Sequence, residues 1–140
     1  MHIRLVAKTA LFNEDGNILI LTRSETDVIR PGAADFPGGG IETGEDILAG
    51  AVREIEEETG IIIASQDLSI VYTKTSEPND DGHVLVRILC TASVTGVPEI
   101  ALSYEHSAYR WCSFDDTLSE FDDISWAEGL LFGKQHGLLL

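Results

Sequence analysis

The sequence predicts an α+β fold, in which a sheet of antiparallel and mixed strands carries helices on its faces. Two observations lead to this class. Residues 3–12 and 83–95 are rich in β-forming residues, whereas residues 44–59 repeat apolar side chains with the period of a helix. The chain has 140 residues, the length of one ordinary domain, and no linker or internal repeat divides it. We therefore expect a single domain over residues 1–140.

Two strands and a tight turn begin the chain. Residues 3–12 alternate well enough for a strand, and residues 13–17 contain an Asp-Gly pair typical of a hairpin turn. Residues 18–23 return as the second strand. Residues 24–35 are polar and contain Pro-Gly, which predicts a loop. Three consecutive glycines at 38–40 follow, and they allow the backbone to approach a ligand or another chain closely.

Residues 44–59 are predicted to form the central helix. Thr43 precedes this segment as a candidate N-cap, and Asp46 three residues later completes a weak capping box. Gly60 directly follows the helix, and glycine is a normal residue at that position because it adopts left-handed backbone.

The second half of the chain is predicted to supply the remaining strands and a final helix. Residues 77–82 are an exposed turn, and residues 124–134 form a short amphipathic helix. The segments predicted to be extended are residues 61–63, 68–75, 83–95 and 108–114.

The charge balance of the chain excludes several classes of partner. Nine Lys and Arg residues stand against 24 Asp and Glu residues, which gives a formal net charge of −15. A protein that binds nucleic acid needs a basic face, so nucleic acid is excluded, and acidic membranes are excluded for the same reason. If the ligand carries phosphate, a divalent cation is needed to offset its charge.

The sequence also predicts a cytoplasmic protein. Cys90 and Cys112 lie in strand-like contexts without the spacing of a metal site, which predicts two reduced thiols in the core. No apolar run approaches the ~18 residues of a membrane helix. The N-terminal apolar segment contains Lys8 and lacks a cleavage site, so we interpret it as a strand and not as a signal peptide. The oligomeric state cannot be read from the sequence.

Three glutamates of the central helix have the spacing of a metal site. Glu54, Glu57 and Glu58 stand at i, i+3 and i+4 and therefore point to one side. Their mutual repulsion and their position near the helix C-terminus are both unfavourable for stability. Mg²⁺ takes oxygen ligands and commonly joins carboxylates to phosphates. The alternative is a solvated acidic face, but the glycine-rich segment that precedes the helix favours the metal site.

The segment from Gly39 to Ile61 resembles the Nudix box, GX5EX7REUXEEXGU, where U is an aliphatic residue. All nine specified positions match over 23 residues, which makes the pattern far more specific than a glycine motif alone. The matching residues are Gly39, Glu45, Arg53, Glu54, Ile55, Glu57, Glu58, Gly60 and Ile61.

The resemblance implies an α/β/α sandwich that hydrolyses a diphosphate bond in a nucleoside diphosphate linked to another moiety. It also implies a Mg²⁺ or Mn²⁺ site, in which the metal offsets charge on the diphosphate and activates the attacking water. The metal ligands carried over by position are Glu54, Glu57, Glu58 and the backbone carbonyl of Gly38.

Further roles follow from the same resemblance. Arg53 and Glu45 are the pair that supports catalysis by holding the loop and the helix in register. Independently of the resemblance, the run of glycines leads us to expect that Gly39 and Gly40 bring backbone close to the substrate.

The catalytic base is left open between two glutamates. In this family the base is either a glutamate of the box, here Glu54, or a glutamate from a distant loop. Glu105 is the distant candidate, since Glu-His often precedes a tryptophan such as Trp111 in Nudix enzymes. The alternative for Glu105 is a solvated loop acid, and His106 is expected to form local hydrogen bonds.

Other side chains have weaker functional interpretations. Arg23 ends the second strand, where it either binds a terminal phosphate of the substrate or forms a surface ion pair. Trp111 and Tyr104 either stack on a base or, more in keeping with their type, pack in the core.

The substrate interpretation carries several alternatives. The first is a small nucleoside triphosphate cleaved to the monophosphate and pyrophosphate, because 140 residues leave little room for an added recognition domain. An ADP-ribose or nucleotide-sugar substrate is the second, with Pro78 as weak support. A nucleotide-sensing module without catalysis is disfavoured by the intact box. An isoprenoid diphosphate isomerase gains no support from the two cysteines.

Overall fold

The computed structural model describes residues 2–121 and 124–139. These residues form seven strands and three α-helices, with a short 3₁₀ turn at Ser65–Asp67. The strands are β1 (His2–Phe12), β2 (Ile18–Arg23), β3 (Ala34–Asp35), β4 (Gly38–Gly40), β5 (Ser69–Thr75), β6 (His83–Ser93) and β7 (His106–Cys112). The helices are α1 (Ile47–Thr59), α2 (Phe114–Glu120) and α3 (Ile124–Gln135).

The sheet is mixed, as the sequence predicts, and β1 is its centre. The main strand order is β3-β2-β1-β6-β5, with β4 also paired to β1 and β7 to β2. β1 runs parallel to β6 over its full length, from His2 opposite His83 to Phe12 opposite Ser93. Its pairings with β2 and β4 are antiparallel. The predicted α+β class is therefore confirmed.

Side chains that alternate along β1 and β2 build a core on each face of the sheet. Leu11 and Leu21 belong to the cluster that contains Ile55 of α1. Phe12 and Ile20 belong to the other cluster, with Trp126 and Leu130 of α3. Since strand side chains alternate between faces, one strand supports both helices. The resulting α/β/α layers hold α1 against the sheet beside the three glycines.

Helix α1 begins three residues later than the sequence predicts. Gly44 has φ +80°, which no helix contains, so Thr43 cannot cap the helix. Asp46 is the actual N-cap, and its carboxylate accepts hydrogen bonds from two amides of the first turn at 3.1 and 3.2 Å. At the other end, Gly60 has φ 77° and ends the helix as predicted.

Helix α2 is absent from the predicted elements, and the predicted strand at 108–114 is wrong beyond Cys112. Ser113 stops that strand because its hydroxyl accepts from the amide of Asp116 at 3.1 Å and caps α2. Two smaller differences lie in the loops. The predicted loop at 24–35 ends in β3, and residues 61–63 form no strand.

Two predictions about the chain as a whole can be compared with the structure. Cys90 and Cys112 are both buried and free of a disulfide, as the sequence predicts. Over residues 2–121 and 124–139, none of the helices combines the length and the apolar character that a membrane crossing needs.

Gly38 of β4 lies so close to β1 that no side chain fits. Its φ is +147°, and a Cβ atom there would stand 2.0 Å from the carbonyl oxygen of Ala7. We predict that Gly38→Ala lowers the free energy of unfolding by about 3 kcal/mol or more, measured by urea denaturation. Gly82→Ala is the control, since Gly82 has φ +76° with open space around it and should lose only about 1–2 kcal/mol. Equal losses would contradict the close contact.

Candidate active site

A cleft of about 410 Å³ lies where α1 meets the glycine strand β4. Its acidic side chains come from α1, from β3 and from the loop before β7, whereas its basic side chains come from β1 and β2. The acidic lining residues are Glu54, Glu57, Glu58, Glu105 and Asp35. The basic lining residues are Arg4, Lys8 and Arg23. Gly38, Gly39 and Gly40 also line the cleft.

Arg53 joins the helix to the loop before it. Its Nε and Nη2 atoms donate to the two carboxylate oxygens of Glu45 at 2.8 and 3.0 Å, and Nη2 also donates to the carbonyl of Gly40 at 3.3 Å. The hydrogen bonds from Arg53, with a further one from the amide of Glu42, lower the pKa of Glu45 to about 2. Nη1 of Arg53 contacts Glu54 at 3.1 Å and Glu57 at 3.4 Å. One guanidinium thus spans the loop, β4 and the acidic face of α1.

Glu54 lies directly over Gly39. A Cβ atom at Gly39 would approach the Glu54 carboxylate to 2.8 Å, so the absence of a side chain at 39 makes room for that carboxylate. Desolvation by burial raises the pKa of Glu54, although Arg53 acts in the opposite direction. Glu57, one turn further, keeps 55% of its side chain exposed.

Glu58 is buried, in contrast to Glu57. Only 2% of the residue is exposed, and its Oε1 accepts a hydrogen bond from the amide of Gly38 at 2.7 Å. Burial raises its pKa to about 7, against the stabilising effect of Lys8 and of the Gly38 amide. The three glutamates with one helical spacing therefore occupy three different environments.

Lys8, Asp35 and His106 form a buried polar group that sequence reasoning missed. The Nζ atom of Lys8 lies 3.0 Å from Asp35 Oδ1 and donates to the carbonyl of Gly38 at 3.0 Å. Nε2 of His106 lies 3.0 Å from Asp35 Oδ2, in agreement with the local hydrogen-bonding role expected for this histidine. A signal was available in the sequence, because Lys8, together with Thr9, interrupts an apolar stretch of β1.

Glu105 reaches the cleft from an exposed position on the loop before β7. The loop is tied to β2, because the amide of Ser24 donates to the carbonyl of Glu105 at 2.9 Å. Its charge contributes to the raised pKa of Glu54. The geometry therefore brings both base candidates, Glu54 and Glu105, to one cleft.

The predictions for Arg23, Trp111 and Tyr104 have different outcomes. Arg23 forms an ion pair, since its Nη2 lies 2.7 Å from Asp27 Oδ2 and its Nη1 lies 3.4 Å from Asp35 Oδ2. It nevertheless lines the cleft. Trp111 packs against the core on the α1 side of the sheet. Tyr104 is 88% exposed, so the expectation that it packs in the core is wrong.

The donor atoms of the cleft suit a hard divalent cation. Four glutamates and the carbonyl of Gly38 supply oxygen, the ligand type that Mg²⁺ prefers. Within the described part of the chain, no three His, Cys, Asp or Glu side chains stand together as a ready metal centre. Arg53 contacts two of these carboxylates, those of Glu54 and Glu57.

Comparison of the chain with known protein families agrees with the fold and with the cleft. The NUDIX domain family matches residues 2–131, so the chain belongs to the Nudix family. The crystal structure of a MutT protein from Methanosarcina mazei Go1 superposes with a TM-score of 0.80 and 26% identity, covering 96% of each chain.

Two relatives match in sequence over shorter regions. An ADP-ribose pyrophosphatase from Methanocaldococcus jannaschii is 38% identical over 57% of this chain and 46% of its own length. A MutT-like protein from Streptomyces ambofaciens is 31% identical over 79% of this chain and 64% of its own length. The chain thus spans less than two thirds of either relative.

The contacts of Arg53 lead to a prediction about stability. Lysine cannot form the paired contact with Glu45, so Arg53→Lys should lower the free energy of unfolding by about 1–2 kcal/mol, a value reduced by partial exposure. The control is Arg110→Lys, which alters an exposed pair with Glu120 and should stay within about 0.5 kcal/mol of the unmodified protein. Urea denaturation measures both. Equal effects would show that the Arg53 contacts are not stabilising.

Proposed function

We propose that this protein is a Mg²⁺-dependent hydrolase that cleaves a diphosphate bond in a nucleoside diphosphate linked to another moiety. The observation that carries the proposal is the composition of one cleft. Carboxylates of α1 line it together with cationic side chains of β1 and β2, in a chain whose net charge is −15. An anionic ligand can enter such a cleft only where its charge is offset, and Arg4 and Arg23 offset it in part.

The cation would be held by Glu54, Glu57, Glu58 and the carbonyl of Gly38. When bound, a divalent cation offsets the charge of the diphosphate and makes water a better nucleophile. Mn²⁺ is expected to substitute for Mg²⁺, because both accept oxygen ligands. The chain's own part is to hold these oxygen atoms in place, and Arg53 supports the arrangement through Glu45. Gly39 and Gly40 leave open backbone beside the substrate.

A carboxylate of the cleft takes the proton from the attacking water. A general base works best when its pKa lies near the working pH, and burial raises the pKa of Glu54 in that direction. Glu105 is the other candidate, because it lines the same cleft from an exposed loop. The two candidates are separable by mutation.

A small nucleoside triphosphate, cleaved to the monophosphate and pyrophosphate, is the first proposed substrate. Arg23 is then placed to bind the terminal phosphate, provided that it exchanges its contact with Asp27. ADP-ribose or a nucleotide sugar is the second candidate, favoured by the name of the M. jannaschii relative. A non-catalytic nucleotide-sensing role is least favoured because the box is intact. One domain over residues 1–140 and a cytoplasmic location complete the proposal.

A substrate screen tests the proposed activity. Nucleoside triphosphates are incubated with Mg²⁺ and inorganic pyrophosphatase, and released phosphate is measured. ADP-ribose and nucleotide sugars are incubated with Mg²⁺ and alkaline phosphatase, which acts on the monoester products and not on the intact diphosphate. Turnover that requires the divalent cation supports the proposal. If no compound of either class is hydrolysed, the proposed activity is wrong.

Glu57→Gln is expected to reduce kcat by orders of magnitude while the protein stays folded, because a carboxylate is lost from the metal-holding set. Glu56→Gln is the matched control, since Glu56 is exposed on the other side of the same helix. Steady-state kinetics and melting curves with and without Mg²⁺ measure both effects. Mg²⁺ should raise the melting temperature of the control and have little effect on Glu57→Gln. Near-normal kcat in Glu57→Gln would remove Glu57 from the mechanism.

Glu105→Gln should lower kcat by about 100-fold or more if Glu105 is the base, with KM little changed. Glu54→Gln tests the rival assignment, although it also removes a proposed metal ligand. Direct Mn²⁺ binding separates these roles, because loss of a base alone leaves the affinity for Mn²⁺ unchanged. A silent Glu105→Gln combined with an inactive Glu54→Gln would assign the base to the box.

A further inference from the structure

A closed circuit of polar contacts begins and ends at Gly38. Lys8 Nζ donates to the Gly38 carbonyl at 3.0 Å and to Asp35 Oδ2 at 3.1 Å. Asp35 Oδ2 lies 3.0 Å from His106 Nε2, and His106 Nδ1 lies 3.9 Å from Glu58 Oε2. Glu58 Oε1 then accepts from the Gly38 amide at 2.7 Å. The members come from β1, β3, β4, β7 and α1, so five elements meet here.

Stability alone does not account for these residues. Lys8, Asp35, Glu58 and His106 are exposed by 8%, 6%, 2% and 5%, so each is more than nine-tenths buried. Removing a charge from water costs several kcal/mol, and apolar residues of similar volume are often at least as stable as a buried ion pair. The circuit therefore needs a reason other than its contribution to the core.

The circuit includes the Gly38 carbonyl and the Glu58 carboxylate, and the proposed function assigns both groups to the divalent cation. We propose that Lys8, Asp35 and His106 are positioning residues that hold the Gly38 carbonyl and the Glu58 carboxylate for that cation. The proposal rests on the proposed function. None of the three residues belongs to the Nudix box, and none needs to touch the substrate.

The charges of the circuit suit this role. An ammonium bound to a carbonyl would by itself repel a cation at the same oxygen. Asp35 removes this conflict because its carboxylate contacts Lys8 and neutralises it. A carbonyl oxygen has two lone pairs, so Lys8 occupies one and leaves the other available.

Glu58 and His106 supply a second, independent observation. Nδ1 of His106 is buried and has no hydrogen-bond partner among the described residues. Its distance of 3.9 Å from Glu58 Oε2 is too long for a hydrogen bond. Oε1 of Glu58 is fixed by the Gly38 amide, whereas Oε2 makes no hydrogen bond within the described part of the chain. Oε2 is therefore the oxygen left to bind a cation, and the His106 ring limits where it can turn.

Three variants separate positioning from stability. Lys8→Met and Asp35→Asn each leave a buried charge without its main partner, so both should lower the melting temperature. The double variant K8M/D35N removes both charges and should recover much of that loss. Its affinity for Mn²⁺, measured from the EPR signal of free Mn²⁺, should remain about 10- to 100-fold weaker than that of the unmodified protein. Its kcat should fall by a similar factor.

The outcomes are distinct. If the double variant recovers stability, Mn²⁺ affinity and kcat together, the residues are merely structural and the proposal is overturned. If the double variant does not fold, His106→Gln is measured in its place. Glutamine keeps a donor for Asp35 but removes the ring beside Glu58. An unchanged Mn²⁺ affinity of His106→Gln would also overturn the proposal. Glu56→Gln serves as the binding control. Failure of the unmodified protein to bind Mn²⁺ would instead contradict the proposed function.

Discussion

The close approach of β4 to β1 is the constraint on which the rest of the cleft depends. Gly38 stands opposite Lys8 in the strand register, with no room for a side chain. This contact turns the Gly38 amide toward Glu58 and its carbonyl toward Lys8. A glycine here therefore does more than permit an unusual backbone angle. It lets the backbone of one residue join the end of α1 to the central strand.

The charged side chains are unevenly distributed, and the net charge does not show this. Three of the nine basic residues, Arg4, Lys8 and Arg23, line the same cleft as the acidic face of α1. A fourth, Arg53, lies across that face and contacts two of its carboxylates. With five acidic side chains against these four basic ones, the cleft is close to balanced, and most of the excess negative charge lies elsewhere in the chain.

The sequence predicts the parts of this protein that depend on local patterns. β2 was expected at its observed bounds, and Gly60 ends α1 as its type suggests. The prediction that Thr43 caps α1 is wrong, because Gly44 has left-handed backbone and the helix begins only after its N-cap at Asp46. The acidic face of α1 was visible from spacing alone. The partners of Glu58 were not, since Lys8, Asp35 and His106 meet it only through pairing between distant strands. Contacts between distant strands leave no periodic pattern in the sequence.

The parallel pairing of β1 with β6 has a consequence for the order in which the chain can fold. Each residue of β1 pairs with a residue 81 positions later, as His2 does with His83. At ordinary rates of protein synthesis, roughly 4–16 s separate the two strands as they leave the ribosome. Until β6 arrives, the apolar centre of the sheet has one edge without a partner, while α1 can already form through contacts near in sequence. The central strand β1 is thus made well before its parallel partner and is among the last elements to be enclosed.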